Sequence, residues 1–432
     1  MTQGTMRADR QHFTITRSWA LIAVGLIACA AIYVAALEFR GSRGLTSRDS
    51  VQYWQIGTNV ADGNGFSFDG EKPTRMRQPV YPLIIAAMVR AFGDIVWPVQ
   101  LLQLLLAMLT VVVTAAIAGE LFGERAAGWA GLAAGLYYPF PVIATEIRTE
   151  SVFIILLAVG VLLGLRAVRL RSLGCAAACG LFLGLAALTR APGVAFIAMV
   201  PLGAWAALRR SERSWHEPLA MVAVALLLML PWGVRNYLQL GEFEIMSNAG
   251  PVSIYVGTHP LAISAWGDYF RTVEKTDEYQ RLLGDGPYLG EGPRRRFAEA
   301  VEKRFREDPW GIAWRGVVKI GLTWTYAPGS RPMILHREWL FRVLQVPQIL
   351  FLLLIIYGAG RGGERAWIFA IALFLGTSSA MFLGAPTARY TLPFMPLGMA
   401  LAAWGLLQLT QDSRTTNEPR EQDNLNGPNA DE

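Results

Sequence analysis

The sequence predicts an all-α protein that crosses a membrane many times. Hydrophobic residues make up 53% of the 432 residues, the mean hydropathy is +0.34, and 17% of residues are charged, against roughly 25% in soluble domains. The apolar residues come in blocks of roughly 17 to 22, the length that a helix needs to cross a bilayer. The basic residues stand in short clusters between these blocks, which is typical of topology determinants.

Ten apolar blocks predict ten membrane-spanning helices. The first is longer than the core of a signal peptide, so we interpret it as a retained anchor. The predicted spans are 19–37, 98–118, 126–142, 150–167, 174–189, 193–208, 219–236, 341–358, 366–383 and 392–409. Residues 81–92 are too short to span and predict an interfacial helix. Residues 294–306 repeat apolar side chains at helical spacing, which predicts an amphipathic helix before Pro309.

The arginines predict the orientation, because cytoplasmic connections collect basic residues. Basic clusters fall on alternate connections: Arg7, Arg10, Arg17, Arg125, Arg166, Arg169, Arg171, Arg209, Arg210, Arg213, Arg361 and Arg365. This pattern predicts cytoplasmic N- and C-termini. The excess of arginine over lysine, with abundant alanine and glycine, suggests a bacterial protein, and we therefore predict the bacterial inner membrane. The connections at 38–97 and 237–340 are then extracytoplasmic. Residues 310–326 carry Arg315 and Lys319, and we interpret them as re-entrant or interfacial.

The predicted organisation follows from these spans. Residues 1–236 form an N-terminal transmembrane catalytic module with seven spans and the first outer loop at 38–97. Residues 237–340 form an extracytoplasmic or interfacial region. Residues 341–409 supply the last three spans, and the polar residues 410–432 predict a disordered cytoplasmic tail.

Charged residues collect on the predicted outer side, near span ends. A charge buried at mid-bilayer costs about 2.5 to 3.5 kcal/mol, so charges near spans indicate a cavity or a functional site. The residues concerned are Arg48, Asp49, Arg75, Arg77, Glu146, Arg148, Glu150, Arg190 and Arg389. Guanidinium groups pair with phosphate in a bidentate fork, which predicts a phosphate-bearing substrate, most naturally a lipid phosphate. A carboxylate beside such an anion suggests a separate task, such as accepting a proton from an incoming hydroxyl.

Several short runs on this side resemble one enzyme family. They are Arg48-Asp49-Ser50-Val51-Gln52-Tyr53-Trp54, Asp62-Gly63-Asn64-Gly65-Phe66, Arg77-Gln78-Pro79-Val80-Tyr81-Pro82-Leu83, Thr149-Glu150-Ser151, Leu188-Thr189-Arg190-Ala191-Pro192, Pro231-Trp232-Gly233-Val234-Arg235-Asn236-Tyr237 and Ala388-Arg389-Tyr390-Thr391-Leu392-Pro393. In order and position they resemble GT-C glycosyltransferases of the protein O-mannosyltransferase and aminoarabinose transferase type, which are similar to glycosyltransferase family 39. The resemblance extends from about residue 19 to 409.

The resemblance implies the GT-C fold and the transfer of a sugar from a polyprenyl-phosphate donor on the extracytoplasmic face, with inversion. It implies that Asp49 is the catalytic base, that Glu150 assists and that Arg77 contacts the donor phosphate. Tyr53 and Tyr81 lie in the matched runs and are assigned to substrate binding. The charged residues assigned to substrate binding are Arg48, Arg75, Arg77, Glu146, Arg148, Arg190 and Arg389. Some family members have Asp-Glu where this chain has Asp49-Ser50, so a second adjacent carboxylate is missing. The implied partners are the lipid-linked donor, a glycolipid, glycan or protein acceptor, and the bilayer, with no nucleic acid.

Each assignment has a plainer alternative. Asp49 follows Thr46-Ser47, a common helix-capping pattern, and Glu150 is also placed to cap a helix. The arginines could extend to lipid headgroups. The four histidines are scattered, so no metal or other cofactor is predicted, although a loosely bound divalent cation at the carboxylates stays open. The rival functions are a transporter or lipid-linked sugar flippase, for which internal repeats would be expected, and a noncatalytic scaffold.

Overall fold

The computed structural model describes residues 3–41, 44–206, 214–247, 249–263, 269–284, 291–325, 338–384 and 387–417. Within these residues the chain is helical, and its only β-type pairing is an isolated bridge between Ser67 and Pro73. The predicted all-α class is therefore confirmed.

The first half of the chain contains ten helices among the described residues. They are α1 (Gln3–Arg40), α2 (Arg48–Ala61), α3 (Val80–Phe92), α4 (Trp97–Phe122), α5 (Glu124–Leu136), α6 (Pro139–Ala144), α7 (Glu150–Leu170), α8 (Leu173–Ala187), α9 (Gly193–Ala206) and α10 (His216–Leu240).

The second half begins with shorter helices and ends with three long ones. They are α11 (Gly250–Thr258), a 3-10 turn (Pro260–Ile263), α12 (Tyr269–Glu274), α13 (Asp277–Leu283), α14 (Glu291–Glu307), α15 (Pro309–Thr325), α16 (Glu338–Arg361), α17 (Gly363–Leu383), a second 3-10 turn (Ala388–Phe394) and α18 (Met395–Asn417).

Helices occupy all ten predicted spans, but their lengths differ. Six segments in the described part of the chain are long and apolar enough to cross a membrane: Thr16–Phe39, Trp97–Phe122, Glu150–Leu170, His216–Leu240, Gly363–Leu383 and Ala388–Asp412. The apolar helices Leu173–Ala187 and Gly193–Ala206 are shorter. The protein is thus a multi-pass membrane protein.

The predicted span 126–142 is broken in the structure. Helix α5 ends at Leu136, and the short helix α6 begins at Pro139. Proline lacks the backbone N–H that would bond four residues back, and its ring clashes with the carbonyl group of that residue. Pro139 and Pro141 therefore interrupt the helix, and the short helix α6 connects α5 to the segment before α7.

Close approach of small residues packs the bundle. A Cβ atom on Gly135 of α5 would collide with the carbonyl group of Gly25 on α1, so the two backbones touch there. Such contacts are typical of helices that associate within a membrane. Helix α7 is the most enclosed of the six candidate spans, with 78% of its apolar window buried. Its first residue, Glu150, consequently lies inside the protein and not on its lipid-facing surface.

The loop predicted to be the first outer one contains two packed helices. The interfacial helix predicted at 81–92 is confirmed as α3, and α2 precedes it where the sequence indicated only a capping pattern. Tyr53 and Trp54 of α2 pack with Tyr81 and Ile85 of α3 in one buried cluster. At the end of α10, Arg235 donates hydrogen bonds to backbone carbonyls of this loop, including that of Thr74 at 2.8 Å, and so fastens it to the bundle.

The region predicted to be the second outer one has its own small core and one helix that packs against the bundle. Tyr255, Tyr279 and Phe297 are fully buried together, and Phe297 belongs to α14, which confirms the predicted amphipathic helix. Helix α15 runs antiparallel to α17. Lys319 Nζ donates to the carbonyl of Gly384 at the end of α17, and five residues later Trp324 Nε1 donates to Ser378 Oγ, deeper along α17.

A second group of charges lies at the opposite end of the bundle. Glu120 pairs with Arg166 and Arg169, and Arg361 pairs with Asp412 at 2.8 Å. The latter contact belongs to the extra turns of α18, which continue to Asn417, beyond the predicted boundary at residue 409. The basic residues at 209, 210 and 213 and the tail after Asn417 lie outside the described residues.

Candidate active site

Asp49 lies in the first turn of α2 and does not cap it. The cap is Ser47, whose side chain and that of Ser50 exchange hydrogen bonds with each other's backbone N–H groups. The Asp49 carboxylate is therefore left for another partner, and Arg77 Nη2 donates to its Oδ1 at 2.5 Å. A capping role thus does not account for Asp49.

One face of α2 holds Arg77 in place. The same Nη2 atom also donates to the side-chain oxygen of Gln52, and the guanidinium lies over the ring of Tyr53 at 4.8 Å from its centroid. Asp49, Gln52 and Tyr53 stand three and four residues apart, which puts them on one side of a helix. The local fold of α2 therefore fixes the orientation of Arg77.

Glu150 and Arg190 form a second, more deeply buried pair. Glu150 begins α7, where a helix N-terminus favours negative charge. Its side chain is 4% exposed, and Arg190 Nη1, beyond the end of α8, lies 2.6 Å from its Oε1. Arg190 Nη1 also donates to Thr149 Oγ1 at 3.0 Å. Arg190 therefore supplies a positive partner for the buried carboxylate of Glu150.

Arg389 connects the two pairs. It lies in the second 3-10 turn, with Nη2 at 3.6 Å from Asp49 Oδ2 and Nη1 at 3.3 Å from Glu150 Oε1. The ring of Tyr390 lies beneath both Arg190 and Arg389, with guanidinium-to-centroid distances of 5.3 and 5.9 Å. Three arginines and two carboxylates from five separate segments thus form one site.

The charges of the site act on the pKa of Asp49 in opposite directions. Burial raises the pKa of its carboxyl, but the positive charges of Arg77 and then Arg389 outweigh burial, and the net pKa lies below the ordinary value. Asp49 is consequently an anion at neutral pH. Its side chain is 37% exposed, so unlike Glu150 it is reachable by a second molecule.

A pocket opens beside these charges and changes from polar to apolar along its wall. Its charged end consists of Glu150, Arg190 and Arg389. Apolar side chains from α7, α9 and the second 3-10 turn continue the wall: Phe153, Ile154, Phe196, Leu392 and Pro393. The wall of this small pocket therefore joins a charged end to an apolar one.

The other predicted site residues lie around this centre. Arg48 is exposed in the first turn of α2 beside Asp49. Glu146 and Arg148 pair with each other just before α7. Tyr81 is fully buried, and its ring packs edge-on against that of Tyr53 at 5.2 Å. Tyr81 therefore supports the position of Tyr53.

Arg75 belongs to a different charge group. It pairs with Glu242 and with Glu244, at 3.2 Å from the latter, and Arg294 of α14 contacts the same two carboxylates. This cluster joins the first outer loop to the second outer region. Although Arg75 and Arg77 are two residues apart, they serve different parts of the structure.

Two glutamines of α4 escaped the sequence analysis. Gln103 Nε2 donates to the carbonyls of Ala144 and Glu146 at 2.9 and 2.7 Å, and Gln100 Nε2 donates to the carbonyl of Thr145 at 2.7 Å. They position the segment that leads into Glu150. The available signal was the presence of two amides, one helical turn apart, inside an apolar span.

The described residues contain no group of three or more His, Cys, Asp or Glu side chains that could hold a metal ion. The carboxylates of the site are instead matched by arginines. The absence of a cofactor stays a prediction.

The helical bundle and its charged site can now be compared with known proteins. Residues 71–234 match the family model of dolichyl-phosphate-mannose-protein mannosyltransferase. The structure is similar to the oligosaccharyltransferase AglB from Archaeoglobus fulgidus in complex with an inhibitory peptide and a dolichol-phosphate, with a TM-score of 0.52 and 13% identity over 96% of this chain and 52% of that chain. The similarity to AglB shows that the chain shares the fold of that membrane protein, and the family model agrees with the predicted resemblance to GT-C enzymes over residues 71–234.

Two further solved structures are similar. The apo form of the Archaeoglobus fulgidus oligosaccharyltransferase has a TM-score of 0.54 and 12% identity, over 92% of this chain and 51% of that chain. ArnT from Cupriavidus metallidurans bound to undecaprenyl phosphate has a TM-score of 0.43 and 14% identity, over 91% of this chain and 78% of that chain. The chain spans about half the length of the archaeal enzyme. No curated protein matches the sequence.

Proposed function

We propose that the chain transfers a sugar from a polyprenyl-phosphate-linked donor to an acceptor hydroxyl, with inversion and with Asp49 as the general base. The contact of Arg389 with both Asp49 and Glu150 supports this most directly, because it unites the charges into one site. The match to a dolichyl-phosphate-mannose-protein mannosyltransferase family model supports a lipid-linked donor.

The arginines are suited to the donor phosphate. Arg190 and Arg389 form the charged end of the pocket, and the apolar wall beyond them, which includes Phe153 and Phe196, would take the first part of a prenyl chain. A guanidinium binds phosphate through two parallel hydrogen bonds. As the bond to the sugar breaks, negative charge grows on the phosphate, and prepositioned cations lower the barrier.

Asp49 is suited to the acceptor. The acceptor oxygen attacks the anomeric carbon from the face opposite the phosphate, and its proton passes to the Asp49 carboxylate. The bond between that carbon and the phosphate oxygen breaks, and the phosphate leaves with the electron pair. A positioned base contributes about 10² to 10⁴-fold to such a step. Glu150 is less exposed and holds Arg190 in place.

We further propose that the site faces away from the cytoplasm of a bacterium, in its inner membrane. The arginine-rich connections between spans support this, because they lie at the other end of the bundle from Asp49. The acceptor is proposed to be a glycolipid, a glycan or a protein with a free hydroxyl.

The test is the change Asp49→Asn, which keeps the shape of the side chain but removes the base. Envelope glycolipids and glycoproteins of cells without the gene would be compared by mass spectrometry with those of cells that carry either form. We expect a glycan that depends on the gene and that the Asp49→Asn variant does not restore. Asp69→Asn is the matched control, since Asp69 is an exposed carboxylate of the same loop that accepts backbone hydrogen bonds. Normal glycan with Asp49→Asn would remove the base assignment.

A further inference from the structure

The arrangement around Asp49 is unfavourable for a general base in the absence of substrate. Arg77 Nη2 lies at 2.5 Å and Arg389 Nη2 at 3.6 Å from its two carboxylate oxygens. Cations so close stabilise the anion, and a stabilised anion is a weaker proton acceptor. Something must relieve Asp49 of positive charge before it can take a proton from a hydroxyl.

The two cations differ in their distances from the carboxylates of the site. Arg77 is fixed by Asp49, Gln52 and the ring of Tyr53, all from α2. Arg389 has longer contacts, at 3.6 Å to Asp49 and 3.3 Å to Glu150. Since attraction between charges falls with distance, Arg389 is the one that a competing anion would draw away more easily.

The competing anion would arrive next to Arg389. This residue is part of the pocket wall, whereas neither Asp49 nor Arg77 lines the pocket. A phosphate group there offers several oxygens in the geometry that a guanidinium prefers. It can therefore replace the long contacts of Arg389 with Asp49 and Glu150 by short, paired ones.

We propose that Arg389 is an exchangeable counter-ion, which bridges Asp49 and Glu150 in the empty site and moves to the phosphate of the donor when the donor binds. Asp49 then becomes a competent base only when a donor is present. This inference deepens the proposed function and rests on it. The charged groups that face Asp49 are Arg77 from the segment before α3, Arg389 from the second 3-10 turn and Glu150 from α7.

The experiment measures the ionisation of Asp49 directly, without the transfer reaction. The full-length protein in lipid nanodiscs is labelled with a carbodiimide and an amine, which modify protonated carboxyl groups. The extent of labelling of the Asp49 peptide is measured by mass spectrometry across a pH series. The midpoint of this series reports ionisation, whereas shielding by a ligand changes only its amplitude. Farnesyl phosphate is the probe, farnesol is its control without phosphate, and native mass spectrometry measures binding in the same samples.

Arg389→Gln removes the exchangeable charge, and Arg389→Lys retains a cation with a single point of contact. Arg361→Gln is the matched control, because Arg361 pairs with Asp412 at the opposite end of the bundle. We expect farnesyl phosphate to move the labelling midpoint of Asp49 to higher pH in the wild type and in Arg361→Gln. We expect Arg389→Gln to have the raised midpoint without ligand and to show no further shift. Arg389→Lys should lie between the two.

The outcomes separate this inference from the function on which it rests. Binding of farnesyl phosphate with an unchanged midpoint overturns the exchange of Arg389 but leaves the proposed donor site intact. An equal shift with farnesol also overturns it, since the phosphate would then have no part. A failure of farnesyl phosphate to bind overturns both the exchange and the proposed donor.

Discussion

The hydroxyl of Tyr81 donates to Oε1 of Gln103 at 2.7 Å, which ties the interfacial helix α3 to the span α4. The amide nitrogen of the same glutamine donates to the carbonyls of Ala144 and Glu146. Tyr81 and Gln103 are both buried. One side chain therefore holds together the first outer loop, a membrane span and the segment that leads to Glu150.

Gln103→Leu should destabilise the protein more than its size change suggests. The substitution keeps a similar volume but leaves the Tyr81 hydroxyl and two carbonyls without their partner, at about 1 to 3 kcal/mol for each buried group that stays unsatisfied. We expect a clear drop in the thermal unfolding midpoint of the detergent-solubilised protein. Tyr81→Phe should cost less, because Gln103 Oε1 keeps the backbone N–H of Arg148 at 3.4 Å. Equal midpoints for Gln103→Leu and the wild type would contradict this role.

The stability contributed by Asp49 should depend on pH in a defined direction. Burial raises the pKa of its carboxyl, but Arg77 and Arg389 lower it further, so the pKa is depressed in the folded state. Such a group stabilises the fold above its unfolded pKa, and this contribution is lost as pH falls through the folded pKa. The wild type should therefore exceed Asp49→Asn in unfolding midpoint near neutral pH, and the difference should shrink in acid.

The measurement is a series of thermal unfolding midpoints for both proteins from about pH 7 to about pH 3, the range around ordinary carboxyl pKa values. In an Arg77→Gln background the effect of Asp49→Asn on the midpoint should be smaller and should disappear at higher pH. A difference that grows in acid would show that Asp49 is not held as a paired anion.

Arg190 should be needed for transfer, and a lysine at this position should replace it only in part. Its guanidinium contacts both Glu150 and Thr149, a geometry that a lysine ammonium at a single point does not reproduce. We expect Arg190→Gln to lower the transfer rate on the order of 10² to 10³-fold, as for loss of one group that stabilises developing charge. Arg190→Lys should retain part of the rate. Arg361→Gln serves as the control, and a near-normal rate for Arg190→Gln would exclude a role in holding the leaving phosphate.

The helices of the bundle were predictable because each depends on its own apolar run, which is local information. Pro139 is visible in the sequence, but the apolar residues around it predict one continuous span, so the break between α5 and α6 was not predicted. Shorter helices such as α8 and α9 were placed correctly for the same reason, although they are too short to qualify as spans by length alone.

The site was predictable as a set of residues at one end of the bundle, not as a set of contacts. Each connection on the predicted outer side carries charged residues. The alternation of basic clusters along the chain indicates which connections share a side. Which arginine meets which carboxylate depends on the packing of distant helices. Arg75 and Arg77 illustrate this, since no local pattern distinguishes the one that meets Glu242 from the one that meets Asp49.

Helix α15 should enter the membrane, and α16 should begin on the side from which α15 entered. It descends along α17 as far as Trp324, whose carbonyl accepts a hydrogen bond from Gln348, ten residues into α16. The start of α16 at Glu338 must then lie back at the level from which α15 set out. A re-entrant path therefore places the ends of the segment on one face, whereas a true span would place them on opposite faces.

Cysteine labelling distinguishes the two paths. The native cysteines at 29, 175 and 179 would first be replaced, and Glu307→Cys and Glu338→Cys would be made singly, before α15 and at the start of α16. A membrane-impermeant maleimide added to intact spheroplasts should label both positions, as it should label an Asp69→Cys variant in the first outer loop. Labelling of position 307 but not of position 338 until the membrane is permeabilised would mean that α15 spans, and the orientation of α16, α17 and Arg389 would then have to be reversed.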